Sequence, residues 1–335
     1  MRILPALAVI TIIPLSSTVA VADNFIGNGP PPSPTSPPPP SPTSPPVPSP
    51  TSLIRSFVSG KGNDANPCTA TSPCQTFQAA LAVTAAGGTI YALDSANYGP
   101  VTINKAVTIT GEGVAAGVLA TNGIGITITA GANDAVNLRG LDIDGNNSGT
   151  TGIQYTSGKS LTIQKSTLRN FTNSGINFAP STATSSLFVS DSLITNNANN
   201  GILVAPTGSS AVNGALSRVV VSGNGLASNG LGIFVYGGST TGTINFTIAD
   251  SVAANNFYGI GVRAASVMVR SSTISNNSVG LRADQGATLR VGLSTVAGNG
   301  TGWQATNGGL LQSFANNTVS GNGTDGTLSG TLALQ

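Results

Sequence analysis

The feature that most constrains the fold of this chain is a four-residue motif that recurs along most of its length. An apolar residue opens the motif, and Asn closes it in seven of the eight copies. We call the closing residues marker positions; they are Asn146, Phe171, Asn197, Asn224, Asn256, Asn277, Asn299 and Asn322. Successive markers lie 25, 26, 27, 32, 21, 22 and 23 residues apart. Such spacings predict the coils of a three-sided β-solenoid, with an inserted loop in the 32-residue coil.

Apolar columns follow the same register. The residues eight positions before each marker are all apolar, namely Leu138, Ile163, Val189, Leu216, Ile248, Val269, Val291 and Phe314. The residues three positions before each marker, from Ile143 to Val319, are apolar as well. After the marker, a Gly precedes apolar residues at alternate positions, which is the periodicity of a strand. One coil cannot bury its inner face alone, so we predict coils stacked about 4.8 Å apart with both columns in the core.

A short helix is predicted before the first coils. The segment from Gln75 to Ala86 has a helical composition and places Phe77, Leu81 and Ala85 at near-helical spacing. We expect it to cover the open bottom of the solenoid. The predicted fold is therefore all-β, a three-sided parallel β-helix with a short N-terminal capping helix.

Polar columns also recur, and stacking explains them. Asn tolerates the left-handed backbone of a sharp bend, and its amide can bond to an equivalent amide one coil away. This predicts a structural Asn ladder of Asn146, Asn197, Asn224, Asn256, Asn277, Asn299 and Asn322. Five positions before the marker, a less complete stack consists of Ser166, Ser192, Ser251, Ser272 and Ser294. The chain has no histidine to activate a serine, so these serines are interpreted as structural.

Charged residues six positions before the marker alternate in sign in four consecutive coils. They are Lys165, Asp191, Arg218 and Asp250. Such a row could belong to an active site, or it could be a charge ladder that fixes the order of stacking. The alternation favours the ladder, because like charges one coil apart would repel each other.

The best local candidate for chemistry is the group of Asp142, Asp144 and Arg169. The two aspartates are two residues apart, which places them on one outward strand face, and Arg169 stands in the column of Asp144 one coil later. They could form a calcium site with Arg169 as a neighbouring catalytic base. The alternative is a cross-coil ion pair on a solvated face. It is favoured because calcium prefers six or more oxygen ligands and the neighbouring coils offer mainly Thr and Ser. No other cofactor is indicated.

The N-terminal region predicts export. One basic residue, an apolar run and Ala20-Val21-Ala22 are typical of a signal peptide over residues 1–22. A membrane helix is the alternative, but Pro5 and Pro14 interrupt the run, and we expect no membrane span after signal removal. Residues 23–52 read as a Pro/Ser/Thr-rich linker, and residues 53–335 as the β-helix domain. The expected location is secreted, extracellular or cell-surface, with the periplasm as a further option.

The two cysteines are best explained by the same compartment. In an exported protein, Cys68 and Cys74 most simply form a disulfide that closes a small loop. A metal site is the alternative, which the absence of histidine disfavours. The formal net charge of +2 also argues against nucleic acid as a partner, because binding it would require a basic patch. The oligomeric state is left open.

The segments that enter the coils resemble a known superfamily. Gly88-Thr89-Ile90-Tyr91, the run from Tyr98 to Ile103 and the run from Val107 to Gly113 look like the entry into the pectin lyase-like right-handed parallel β-helices. The similarity covers nearly all of residues 55–335, and the opening around Cys68 is similar to that of uncharacterised secreted bacterial members. The resemblance implies a right-handed helix and leaves activity open, because these motifs specify fold.

Enzymatic patterns of the superfamily are missing from the sequence. The Gly-His-Gly and paired Asp-Asp that polygalacturonases share are absent, as is the Gly-Phe-x-Ala-x-Asp context of pectin methylesterases. One Glu and ten Asp are scattered over the chain, which leaves few positions for a pair of catalytic carboxylates. We therefore expect an exported, non-catalytic β-helix for carbohydrate binding, adhesion or envelope structure. The alternative is a calcium-dependent polysaccharide lyase or another carbohydrate-active enzyme of this fold.

The expected partner is a polysaccharide or cell-surface glycan. Phe234 and Tyr258 are placed on bends or outward positions near the segment Gly225 to Gly242, which is the longest interruption of the stack. If a ligand groove exists, this segment is a natural wall for it. Trp303 follows Gly302 at the inward position of other coils, which predicts a core role. Repeated Thr and Ser on outward positions would also suit ice or surface binding, although the coil spacing varies.

Overall fold

The computed structural model describes residues 52–333, apart from residues 182 and 227–229. The predicted signal peptide and nearly all of the predicted linker, residues 23–51, lie outside these residues. The structure is a right-handed parallel β-helix with three sheets, A, B and C, and the predicted fold is confirmed. Within the described part, no helix has the length and apolar character needed to cross a bilayer.

Sheet A has twelve strands. In spatial order they are β1 (Leu53–Val58), β2 (Thr84–Ala92), β5 (Val107–Thr110), β8 (Ala135–Arg139), β11 (Ser160–Gln164), β14 (Ser185–Ser190), β17 (Val212–Ser217), β20 (Ile244–Ala249), β23 (Ser266–Arg270), β26 (Thr288–Gly292), β29 (Leu310–Ser313) and β32 (Gly330–Thr331).

Sheet B has ten short strands. They are β3 (Ala96–Asn97), β6 (Ala116–Leu119), β9 (Leu141–Asp144), β12 (Thr167–Arg169), β15 (Leu193–Thr195), β18 (Val220–Ser222), β21 (Val252–Ala254), β24 (Thr273–Ser275), β27 (Thr295–Ala297) and β30 (Thr318–Ser320).

Sheet C also has ten strands. They are β4 (Val101–Ile103), β7 (Ile124–Thr129), β10 (Thr151–Ser157), β13 (Ser174–Phe178), β16 (Asn200–Val204), β19 (Leu231–Tyr236), β22 (Tyr258–Arg263), β25 (Val279–Asp284), β28 (Thr301–Thr306) and β31 (Thr324–Gly326).

Alternation along each strand builds the core. In β11, Leu161 and Ile163 are fully buried, while the residues between and beside them are less buried. In the parallel register, Ile163 lies between Leu138 of β8 and Val189 of β14. Burying one such side chain contributes about 1.5–3 kcal/mol, and the contribution repeats in every coil. The stack is therefore held by columns of identical inward positions.

The last core column departs from the predicted register. Val291 of β26 pairs with Ser313 of β29, so the prediction that Phe314 occupies this column is wrong. Strand pairing in sheet A advances by 22 residues from Leu289 to Leu311, whereas the marker spacing is 23. The additional residue lies in the bend after β29 and moves Phe314 out of the core.

The N-terminal helix is confirmed, with narrower bounds than predicted. Helix α1 spans Phe77–Val83 and buries Phe77, Ala80 and Leu81. Thr76 caps it by accepting a hydrogen bond from the backbone N–H of Ala79. The helix ends where β2 begins at Thr84, so Ala85 belongs to a strand.

The long insertion also differs from its prediction. Within 225–242, the alternating run Leu231–Tyr236 forms strand β19, which pairs with β16 and β22. The additional residues of this coil therefore lie on either side of a regular strand of sheet C.

The Asn ladder consists of buried amides with complete hydrogen bonding. Asn256 accepts from the backbone N–H and the Nδ2 of Asn224, at 2.9 and 3.0 Å. It donates from Nδ2 to Asn277 Oδ1 of the next coil and to the Val221 carbonyl of the preceding coil. The same pattern links Asn197 through Asn322. The ladder thus satisfies backbone groups that the bend leaves unpaired.

Two details of the ladder require correction. For seven of the eight markers the left-handed φ value falls on the preceding residue, namely Asn170, Asn196, Gly223, Asn255, Asn276, Gly298 and Gly321, whereas Asn146 is itself left-handed, with φ 48°. Asn146 does not belong to the ladder, because its side chain is exposed and the next marker is Phe171, which has no amide. The buried Phe171 ring lies instead against Gly145 and Gly149 of the preceding coil, where a Cβ would be within 3.1 Å of it.

The Ser column makes a second ladder between sheets A and B. Ser272, for example, donates to the Arg270 carbonyl, and its oxygen accepts from the backbone N–H of Ser251. Because each hydroxyl is engaged in backbone hydrogen bonds, the column has a structural role.

Candidate functional site

The predicted acidic pair and its arginine lie together on the outer face of sheet B. Asp142 and Asp144 project outward from β9, and Arg169 pairs with Asp144 in the register. The Arg169 guanidinium binds both carboxylates, with an Nη1 contact to Asp142 and Nε 3.0 Å from Asp144 Oδ2. The hydrogen bonds that Arg169 donates to Asp142, followed by the charges of both carboxylates, raise the Arg169 pKa above its ordinary value despite burial.

This group does not fit a calcium site. Asp144 Oδ1 already accepts from the backbone N–H of Asn146 and from Asn170 Nδ2. No cluster of three or more His, Cys, Asp or Glu side chains occurs in the described ranges. Since calcium requires six or more oxygens, the arrangement matches the cross-coil ion pair. Arg169 is also held by two carboxylates, so it is not free to act as a base.

The predicted charge row occupies the bend between sheets A and B, and it forms one internal ion pair. Lys165, Asp191, Arg218 and Asp250 all have left-handed φ values, between 48° and 55°. Arg218 contacts Asp191 at two points, with Nε–Oδ1 at 2.6 Å and Nη2–Oδ2 at 2.9 Å. Lys165 instead lies 2.8 Å from Glu112, which also pairs with Arg139. Exposed pairs of this kind contribute about 0–1 kcal/mol each.

Two other sequence-based expectations are met. Cys68 and Cys74 form a disulfide, so that pairing is confirmed. Trp303 of β28 is 5% exposed and stacks on Leu281 in the inward column of sheet C.

A groove lies on the outer face of sheet C. It has a volume of about 290 Å³ and crosses strands β19, β22 and β25; its lining consists of Leu231, Phe234, Tyr258, Gly261, Val262, Arg263, Arg282 and Asp284. We call it the sheet C groove. Phe234, Gly261 and Arg282 occupy one outward column. The Leu231 side chain covers Gly261, where a Cβ would lie 2.0 Å from Leu231 Cδ2.

Aromatic rings and guanidinium groups are paired along this groove. The Arg282 guanidinium lies over the Tyr258 ring, 5.1 Å from its centroid, and Nη1 donates to the Tyr258 hydroxyl at 3.0 Å. Arg263 lies over the Tyr236 ring at 5.7 Å. The Tyr236 ring stacks on Phe234, with centroids 5.7 Å apart. Stacking of this kind fixes long side chains that would otherwise sample many rotamers.

Asp284 supplies the carboxylate of the groove. Burial raises its pKa, but hydrogen bonds from Asn307 and Thr306, together with the Arg282 and Arg263 charges, hold the pKa below its ordinary value. The donors lie at 2.8 and 3.0 Å from Oδ1. Asp284 is therefore ionised at neutral pH and serves as a hydrogen-bond acceptor.

The sequence identified part of this groove. Tyr258 and Phe234 were predicted on bends or outward positions, and both lie on outward strand positions of sheet C. Arg263, Arg282 and Asp284 were missed. The sequence shows that these three residues alternate with inward apolar residues. Their alignment with Phe234 depends on how β19 pairs with β22, and the inserted residues of this coil prevent that register from being deduced from the repeat spacing.

Comparison with solved structures supports the fold. An alginate lyase from Paenibacillus sp. superposes with a TM-score of 0.54 at 13% identity, over 81% of this chain and 97% of that chain. The enzymatically active domain of bacteriophage CBA120 tailspike protein 2 superposes with a TM-score of 0.53 at 12% identity, over 77% of this chain and 43% of that chain. A pectate lyase, Pel9A, is similar at a TM-score of 0.46 and 14% identity, over 84% and 80% of the two chains.

The superpositions on the alginate lyase and the tailspike domain support the parallel β-helix fold of this chain. No family model and no curated protein matches the sequence.

Proposed function

We propose that this protein is an exported, non-catalytic carbohydrate-binding β-helix that holds a glycan in the sheet C groove. The observation that carries the proposal is the row of stacked aromatic and guanidinium groups across three consecutive coils. Aromatic faces pack against the apolar faces of sugar rings, while Arg282 and Asp284 offer donors and an acceptor to hydroxyl groups. The similarity in fold to a protein named as an alginate lyase supports a polysaccharide ligand.

The setting of the groove favours binding without large rearrangement. Its side chains project from β-strands that pair with neighbours on both sides, and Tyr258 and Arg282 hold each other in place. Preorganised side chains lower the entropic cost of binding. The predicted signal peptide and Pro-rich linker are part of the proposal. The signal peptide would direct export, and the linker would act as a spacer before the β-helix.

The charges of the groove support binding over catalysis. Among the described residues that line the groove, Asp284 alone carries a carboxylate, and it is ionised and bound by Thr306 and Asn307. General acid catalysis needs a group that holds a proton near the working pH. The two carboxylates of the candidate group on sheet B, Asp142 and Asp144, both bind Arg169.

Binding is tested with the full chain against a panel of neutral and acidic polysaccharides by isothermal titration calorimetry. Tyr258→Ala is expected to weaken binding about five- to tenfold, because it removes a stacking face of about 1–1.5 kcal/mol. The matched control is Phe188→Ala, which removes an aromatic ring that is 45% exposed on sheet A. Equal affinities of the Tyr258 variant and the unmodified chain would refute the groove as the binding site.

Catalysis is tested on the same polysaccharides, with calcium and with a chelator. We expect neither absorbance from unsaturated products nor an increase in reducing ends. Product formation that Asp144→Ala abolishes would overturn the non-catalytic proposal in favour of a lyase.

A further inference from the structure

A second cavity lies at the outer face of sheet A, where strands β23, β26 and β29 pair. It has a volume of about 650 Å³, and two arginines, Arg270 and Arg290, line it together with mostly apolar side chains. We call it the sheet A pocket. Arg290 stands in the outward column after Met268, and Arg270 stands beside Gly292.

Among the residues that the structure describes, neither guanidinium group has a carboxylate partner. Arg290 Nη1 donates to Ser266 Oγ at 3.2 Å, and neither Arg270 nor Arg290 forms an ion pair within the part of the chain that the structure describes. No acidic residue is among the described residues that line the pocket. Four other arginines of the described chain pair with carboxylates, namely Arg139, Arg169, Arg218 and Arg282, whereas Arg55 and Arg263 form no ion pair there. The sheet A pocket therefore carries uncompensated positive charge.

The apolar wall of the pocket results from the additional residue after β29. Phe314 is displaced from the core, and its ring covers Gly292, where a Cβ would lie 3.2 Å from Cδ2 of Phe314. The same Cβ position is 3.6 Å from Cε of Met268. Leu293 is 56% exposed at the bend, with a left-handed φ of 53°. An exposed leucine beside a phenylalanine and a methionine forms a surface that apolar groups can cover.

We propose that the sheet A pocket binds a small amphiphilic anion. An oxyanion head group, such as a carboxylate or sulfonate, lies against Arg270 and Arg290, and an aromatic or alkyl body lies against Met268, Leu293 and Phe314. The two arginines alone would attract any anion, and the apolar wall alone would bind any hydrophobic molecule. A pocket that has both favours a ligand with an anionic head group and an apolar body. Mostly apolar walls with a few convergent polar groups are typical of small-molecule sites. Guanidinium groups are well matched to planar oxyanions.

The experiment compares two fluorescent probes of similar shape on the full chain. 1-Anilinonaphthalene-8-sulfonate carries a sulfonate, and N-phenyl-1-naphthylamine has the same rings without it. We expect saturable binding of the sulfonate at one site per chain, at least tenfold tighter than the neutral probe. Arg270→Gln and Arg290→Gln are each expected to weaken sulfonate binding about tenfold and to leave the neutral probe unchanged, because each removes one charge-assisted hydrogen bond.

Arg55→Gln is the matched control, since Arg55 is an exposed arginine on β1, at the other end of sheet A. Unchanged thermal unfolding midpoints would establish that the variants are folded. Equal affinities for the two probes, or sulfonate binding that both pocket variants retain in full, would refute the proposal. Because this pocket and the sheet C groove share no residue, failure here leaves the glycan proposal untouched.

Discussion

Replacing Asn256 with alanine should destabilise the middle of the β-helix, because it removes a buried amide of the Asn ladder. Asn256 is 1% exposed, and its amide takes part in four hydrogen bonds to neighbouring coils. In Asn256→Ala, the backbone N–H of Asn224 and the carbonyl of Val221 lose these partners. Asn224 Nδ2 and Asn277 Oδ1 keep other partners, the Ile194 carbonyl and the Asn256 backbone N–H.

The expected loss follows from the backbone N–H of Asn224, which is left without a partner, whereas the Val221 carbonyl lies within the parallel pairing of β18 with β21. A buried polar group without a partner costs about 1–3 kcal/mol, so the free energy of unfolding should fall by about 1–3 kcal/mol. Asn322→Ala should cost less, because Asn322 is only partly buried and water can replace its amide. Both variants lose one ladder amide, so the difference between their free energies of unfolding measures the effect of burial.

The assay is urea unfolding of the full chain, followed by far-ultraviolet circular dichroism and by fluorescence of Trp303. Trp303 is the only tryptophan of the chain and is 5% exposed on β28. Its fluorescence therefore reports on the core of the β-helix beside sheet C. The control is Asn133→Ala, an exposed position, which should change stability by less than about 0.5 kcal/mol. Equal unfolding midpoints for the Asn256 and Asn133 variants would refute the ladder as a source of stability.

Further predictions concern backbone packing and pH. Gly259→Ala should destabilise by about 1–3 kcal/mol in the same unfolding assay, because a Cβ would lie 2.5 Å from the Gly280 carbonyl oxygen and 2.8 Å from Asn277 Nδ2. Gly330→Ala, where no atom lies within 4 Å of that position, is its control, and equal effects would contradict the steric argument. Hydrogen bonds from Arg139, then from Lys165, lower the Glu112 pKa from 4.5 to about 2. The stabilisation from Glu112 is therefore present above about pH 4.5 and is lost as the pH falls towards 2. Glu112→Gln should flatten the decline of the thermal midpoint across that range, and parallel pH profiles for the two proteins would count against this ion-pair network.

The local sequence pattern was sufficient to predict the core columns and the disulfide. The columns of Leu138, Ile163 and Val189 were predicted correctly, because the side-chain period of a strand and the coil spacing are both visible in the sequence. The disulfide was predicted from two cysteines close together in a chain whose sequence predicts export. The left-handed backbone was predicted correctly at Asn146 and one position too late at the other seven markers, since Asn and Gly at the preceding position adopt that backbone as readily as the marker residue.

The sequence by itself determined the parallel β-helix, because stacked coils repeat the same inward positions and a repeat in the chain is a repeat in space. Only the tertiary structure decided where its outer surface is concave and charged. The sheet C groove depends on aligning Phe234 with Gly261 across an insertion, and the sheet A pocket depends on one additional residue that moves Phe314 outward. Core positions are selected by burial, which leaves a periodic pattern. Outward neighbours are set by the register between coils, and a single inserted residue changes that register without altering the pattern within either strand.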